Sequence, residues 1–286
     1  MKLKMYFMML AMGLLSMVMT GCSDDDDDQG AKVPAELENA FVSEFGDVAH
    51  SWSTTRSGYH VAKFHDNKQE KEAWFNAQGA WMMTETDLQF EALPEAVKTT
   101  YANLTQYANW RVDDVDMLER KGMETVYVLE VENGTQEVDL YFDGNGRLIK
   151  EVVDLDQEDD SESYLPGGLN AAVKTILNDK FPDYKLLEVE REKNGNLEVD
   201  ILYNNEKIEV IFNQADEWVA SKKEVKLSQV PTEVKEAALA AHSGAVLEDD
   251  EADWIETPSG NYYVLELEKG EQNIYVKVQE DGTVLR

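Results

Sequence analysis

Four stretches of the chain, 59–79, 126–146, 196–216 and 262–282, align with one another without a gap. In three of them one parity is apolar throughout: Tyr127, Leu129 and Val131; Leu197, Val199 and Ile201; Tyr263, Leu265 and Leu267. The first copy departs, with His60, Ala62 and Phe64. A later run repeats the alternation in Val138, Leu140 and Phe142, in Ile208, Val210 and Phe212, and in Ile274, Val276 and Val278. An apolar period of two belongs to strands with one buried face, so each stretch predicts a pair of strands. Asn76-Ala-Gln-Gly79, Asp143-Gly-Asn-Gly146, Asn213-Gln-Ala-Asp216 and Gln279-Glu-Asp-Gly282 follow, and their Asn, Asp and Gly content predicts hairpin turns. Beyond each turn stands one more apolar anchor: Trp81, Leu148, Trp218 or Val284.

Upstream of each strand pair the period changes. Val33-Pro34, Leu93-Pro94, Leu165-Pro166 and Val230-Pro231 each open a segment whose apolar residues recur three, six and seven places after the proline, with Thr100 the one exception. Leu37, Ala40 and Phe41 form the first such set, and Val234, Ala237 and Ala238 the last. That spacing is one stripe of an α-helix, and proline is well tolerated in a first turn. The unit therefore reads helix, strand, strand, strand, and occurs four times.

One unit is too small to cover both its helix and its sheet, so neighbours must share a core. The polar run Asp156–Glu162 separates units two and three. The expected fold class is α+β, built as two tandem domains at 33–154 and 165–286 with an acidic linker at 155–164. Each contains two repeats, 33–92 with 93–154 and 165–229 with 230–286, whose helices pack on one face of an antiparallel sheet. A single continuous four-unit sheet is the alternative.

The first residues have a short basic start and an apolar run from Met8 to Met19, the layout of a signal peptide over 1–21. Met19-Thr-Gly-Cys22 resembles a bacterial lipobox with Met where Leu is usual, which makes Cys22 the expected site of lipidation. Cys22 is the one cysteine in the chain, so disulfides within one molecule, thiolate metal sites and thiol catalysis are excluded. Asp24–Asp28 then begins a self-repelling tether over 22–32, and that run resembles the acidic export signal of Bacteroidetes lipoproteins. The expected location is the outer membrane, held by lipid alone, on the cell surface or the periplasmic face. A formal charge of -32 repels nucleic acid and anionic head groups and favours basic partners.

Val33-Pro-x-x-Leu37 followed by Ala40-Phe41, then a Trp-starting strand, and then Glu72-Ala-Trp-Phe-Asn-Ala-Gln-Gly-Ala-Trp-Met-Met-Thr-Glu-Thr-Asp87, resemble the PepSY-like, β-lactamase-inhibitor-like lipoproteins of gut Bacteroidetes. Leu93–Lys98 and Asp139–Lys150 match the family's second repeat. The resemblance is close over 33–154 and looser over 165–286. It implies an α+β domain without established catalytic residues. PepSY modules are associated with binding or restraining peptidases, and the related inhibitor scaffold blocks a β-lactamase with its concave sheet. That scaffold contains disulfides, which this chain cannot form, so its target does not carry over.

The four histidines, at 50, 60, 65 and 242, include no metal-binding pair, and phosphate loops, dinucleotide fingerprints and nucleophile turns are missing. The chain is not expected to be an enzyme or to need a cofactor. Asp143 and Asn145 are the calcium candidates, offering oxygens at turn spacing without the downstream bidentate glutamate of a full loop. The expected binding surface is the sheet face turned away from the helices. If Phe75, Phe142 and Phe212 face the helices, alternation sends Trp74, Tyr141 and Ile211 to the other side, with Tyr59 and Tyr262 on the adjoining strands. Aromatic groups rimmed by charge suit an unidentified protein or peptide partner, and packing between units is the alternative use for them. The function expected is a non-catalytic binding module of the cell envelope. A calcium-binding or self-associating structural protein is the second reading.

Overall fold

The computed structural model describes residues 33–154, 161–247, 250–270 and 272–285. The expected signal peptide, Cys22, the tether and positions 155–160 of the linker lie outside the described residues.

Four helices, α1 (Ala35–Phe45), α2 (Glu95–Asn103), α3 (Ala171–Lys180) and α4 (Thr232–Ala241), each introduce one unit. Prolines 34, 94 and 231 stand immediately before α1, α2 and α4, and the residues three places on, Leu37, Val97 and Val234, are buried as the spacing requires. The third unit differs. Pro166 does not open α3; Asn170 does, its side-chain oxygen accepting the Val173 amide at 3.0 Å. Pro166 is followed by Gly167, which passes so close to the next strand that an added Cβ would lie 2.4 Å from the Val189 carbonyl oxygen.

Each helix is followed by four strands rather than the three expected. The first unit supplies β1 (His50–Thr54), β2 (His60–Asp66), β3 (Gln69–Phe75) and β4 (Trp81–Asp87). The second supplies β5 (Arg111–Arg120), β6 (Val126–Asn133), β7 (Gln136–Asp143) and β8 (Leu148–Asp154). The third supplies β9 (Lys185–Arg191), β10 (Leu197–Tyr203), β11 (Glu206–Phe212) and β12 (Trp218–Lys226). In the fourth, the opening strand is split into β13 (Val246–Leu247) and β14 (Glu251–Thr257), followed by β15 (Gly260–Lys269) and β16 (Gln272–Val278). Its last strand shrinks to a bridge between Val278 and Val284. The additional strand escapes a hydrophobicity reading because its buried positions are not all apolar: β5 buries Asp116 and Arg120 alongside Val115 and Leu118.

β1 to β8 form one antiparallel meander and β9 to β16 a second eight-stranded sheet. In three units the final hairpin carries the same bulge, after Trp74, Tyr141 and Ile211. The turns that follow share one device: Asn76, Asp143 and Asn213 each accept two backbone amides on their Oδ1. Phe75, Phe142 and Phe212 are fully buried against α1, α2 and α3, and Val278 against α4. Four separate helix-to-sheet cores result, one for each helix, where a core shared between neighbouring units was expected.

Candidate functional site

The helix-free faces of the two sheets have different fates. On the first sheet, Val61, Trp74, Met83, Leu118, Val128 and Tyr141 form a fifth apolar cluster, closed by Tyr164, Leu165 and, from the second sheet, Leu187 and Leu202. Trp74 is 5% exposed and Tyr141 3%, and Tyr59 is half-buried with its ring against Trp74 at 6.4 Å. These three residues do point away from the helices. They are nonetheless not a free binding surface, because a short 3-10 turn at Ser161–Tyr164 lies over them and brings the second half of the chain onto the face. Burial drives the Tyr141 and Tyr164 hydroxyls well above the ordinary tyrosine range, with the neighbouring Asp139 adding to both.

Charged groups complete this contact. Arg120, 3% exposed, reaches from β5 to the Glu188 carboxylate at 2.8 Å and donates a second bond to the Leu187 carbonyl at 2.8 Å. The Glu124 amide donates to the Leu186 carbonyl at 2.8 Å, and Lys150 stands 3.7 Å from Glu188. From the second sheet, Lys207 donates to the Ile149 carbonyl at 2.5 Å. The edge strand β9 is thus held by the β5–β6 turn.

The calcium candidates prove to be a turn. Asp143 Oδ1 accepts the Asn145 and Arg147 amides, both at 2.9 Å, and its Oδ2 lies 3.6 Å from the Arg147 guanidinium. Only 3% of Asp143 is exposed. Its Oδ1 therefore serves the hairpin, while Oδ2 is buried and has no hydrogen-bond partner among the described residues.

The helix-free face of the second sheet is where the remaining expected residues lie. Strand register places Glu188, Asp200, Glu209, Lys222, Ile255 and Tyr262 in one row across β9, β10, β11, β12, β14 and β15. A neighbouring row holds Glu190, Glu198, Ile211 and Ala220. One end is therefore carboxylate-rich and the other apolar. Ile211 and Tyr262 are half-buried, and Lys277 lies 5.6 Å from the Tyr262 ring.

The carboxylate end faces strand β8 across a cavity of about 480 Å³ lined by Lys150, Glu188, Glu190, Glu198, Asp200 and Lys207, among others. Burial, with Glu209 and Asp200 nearby, raises Glu198 to about 7, and burial raises Asp200 to about 6 against the pull of Lys207. Single carboxylates at alternate positions of β10 and β11 were visible in the sequence. Their convergence was not, because it depends on cross-strand register.

A family profile described as "Putative beta-lactamase-inhibitor-like, PepSY-like" matches residues 58–150 and again 196–286. Among solved structures, a BLIP-like protein from Bacteroides fragilis NCTC 9343 is 35% identical, over 48% of this chain and 96% of its own, with a TM-score of 0.42. A DUF2874 family protein from Bacteroides ovatus ATCC 8483 is 29% identical, over 48% of this chain and 99% of its own, with a TM-score of 0.44. No curated protein matches the chain. Among the described residues no helix is long and apolar enough to cross a membrane.

Proposed function

The chain belongs to the PepSY-like, β-lactamase-inhibitor-like family, and from that membership and the half-exposed apolar groups of the second sheet we propose a non-catalytic module that binds a protein or peptide. The observation that carries the reading is the placement of Ile211 and Tyr262 on a helix-free face, beside Lys222 and Lys277 and away from the contact that buries Trp74 and Tyr141. Partly exposed apolar groups among charges are typical anchors of an interface. The acidic field of the chain favours a basic partner, and restraint of a peptidase or another enzyme is the kind of role its family suggests.

The test is capture of envelope proteins by the chain and by its Ile211→Asp/Tyr262→Ala variant. Capture by the parent and its loss at least tenfold in a variant of unchanged thermal stability is the expected result. Equal capture by both would remove the second sheet from the proposal. Attachment to the outer membrane through lipidated Cys22, on the cell surface or periplasmic face, belongs to the same reading and rests on the sequence alone. Cys22→Ser is expected to move the protein from the membrane to the soluble fraction, and continued membrane retention would count against the anchor.

A further inference from the structure

We propose that Glu198, Asp200 and Glu209 form a binding site for one divalent cation on the helix-free face of the second sheet. One carboxylate oxygen from each lies within 4.8 Å of the others. Oxygen ligands of calcium sit at roughly 2.3–2.6 Å, so two ligands of one ion are separated by at most about 5 Å. Three carboxylates at this spacing, on adjacent strands of one sheet, can share an ion without any backbone movement.

A second observation separates this group from an ordinary acidic surface. Asp200 is 4% exposed, and while its Oδ2 meets Lys207 at 2.9 Å, its Oδ1 is buried and has no hydrogen-bond partner among the described residues. A buried carboxylate oxygen without a donor costs free energy that a cation, or a proton, would recover. The protein's own cations do not close the account. Lys207 serves Asp200 and the Ile149 carbonyl, and Lys222 serves Glu209 at 3.0 Å through one oxygen. Arg120 and Lys150 are engaged by Glu188. Glu198 is left without an ion pair or hydrogen bond among the described residues, and it lines the same cavity.

Direct cross-strand pairing of Asp200 with both Glu188 and Glu209 sharpens the argument. Like charges facing each other across strands destabilise a sheet, a cost that Arg120, Lys207 and Lys222 offset for Glu188, Asp200 and Glu209 while Glu198 has no such ion pair among the described residues. The alternative completion is protonation of one of these carboxylates. Cation and proton therefore compete, and binding should weaken as pH falls.

Titration of the full chain with calcium chloride or manganese chloride in 150 mM sodium chloride, followed by calorimetry, separates these outcomes. At pH 7.5 one saturable site is expected for at least one of the two ions, weakened at least fivefold at pH 5.5. Glu198→Gln and Asp200→Asn should each weaken binding at least tenfold, whereas Asp143→Asn should leave it within twofold. Glu198 is partly exposed, so its variant retains the fold and keeps the test valid even if Asp200→Asn is unstable. Absence of a saturable site for both ions, or binding that Glu198→Gln leaves unchanged, would overturn the proposal. Failure here would leave the protein-binding reading untouched, since Ile211 and Tyr262 do not contribute to the site.

Discussion

Trp74→Ala is expected to lower the stability of the protein by about 3–5 kcal/mol, the usual cost of truncating a large aromatic group in a core. Trp74 pairs with Val61 and Met83 across neighbouring strands and shares its cluster with Leu187 of the second sheet. Its indole nitrogen is buried without a hydrogen-bond partner among the described residues, so Trp74→Phe forfeits no such bond and should cost far less. Tyr262→Ala, on the open face, is expected to stay near 1 kcal/mol or below. Urea unfolding monitored by circular dichroism measures all three. A Trp74→Ala variant as stable as the parent would mean that the first sheet's face is open in solution and that the contact with the second half is not maintained.

Arg120→Ala is expected to cost about 3–5 kcal/mol, because it strands a charge that was paired in a buried site. Glu188 would lose its 2.8 Å partner and the Leu187 carbonyl its donor, with only Lys150, at 3.7 Å, left beside the carboxylate. Removing both charges tests whether this cost comes from the unpaired group. Arg120→Met combined with Glu188→Gln should regain more than half of the loss, since neither buried site then holds an uncompensated charge. If the double variant is no better than Arg120→Ala, the unpaired charge is not the source of the loss. The same unfolding curves would provide the comparison.

The two substitutions touch one structural fact, the joining of the halves through a face that the sequence offered as open. Alternation correctly assigned Trp74 and Tyr141 to the side away from the helices. Whether that side meets water or protein is not a property of alternation, and here Tyr164 and Leu165, just after the acidic run, decide it. Ile211 and Tyr262 share the same parity and meet no such cover among the described residues, so the equivalent reading stands for them as a proposal.

Local chemistry was the most legible layer. Prolines 34, 94 and 231, the Asn and Asp turns and the period-two runs each specify their own conformation through nearby backbone sterics and hydrogen bonds, so four helix-and-strand units followed from the residues themselves. The third helix start was misplaced because Pro166 and Asn170 both carry start signals, and the close approach of Gly167 to Val189 settles which one acts. The opening strand of each unit was missed where its inward groups are polar, as in β5, since a buried Asp116 or Arg120 looks exposed until its partners are known. Asp143 likewise offered an Oδ1 that looked available until the amides of its own turn were seen to occupy it. Residue order, then, determined the repeat, the side of each sheet that meets the helices and the charge of the whole. The packing of one sheet against the other, and the convergence of Glu198, Asp200 and Glu209, were decided only in three dimensions, because register and sheet-to-sheet contact depend on residues far apart in the chain.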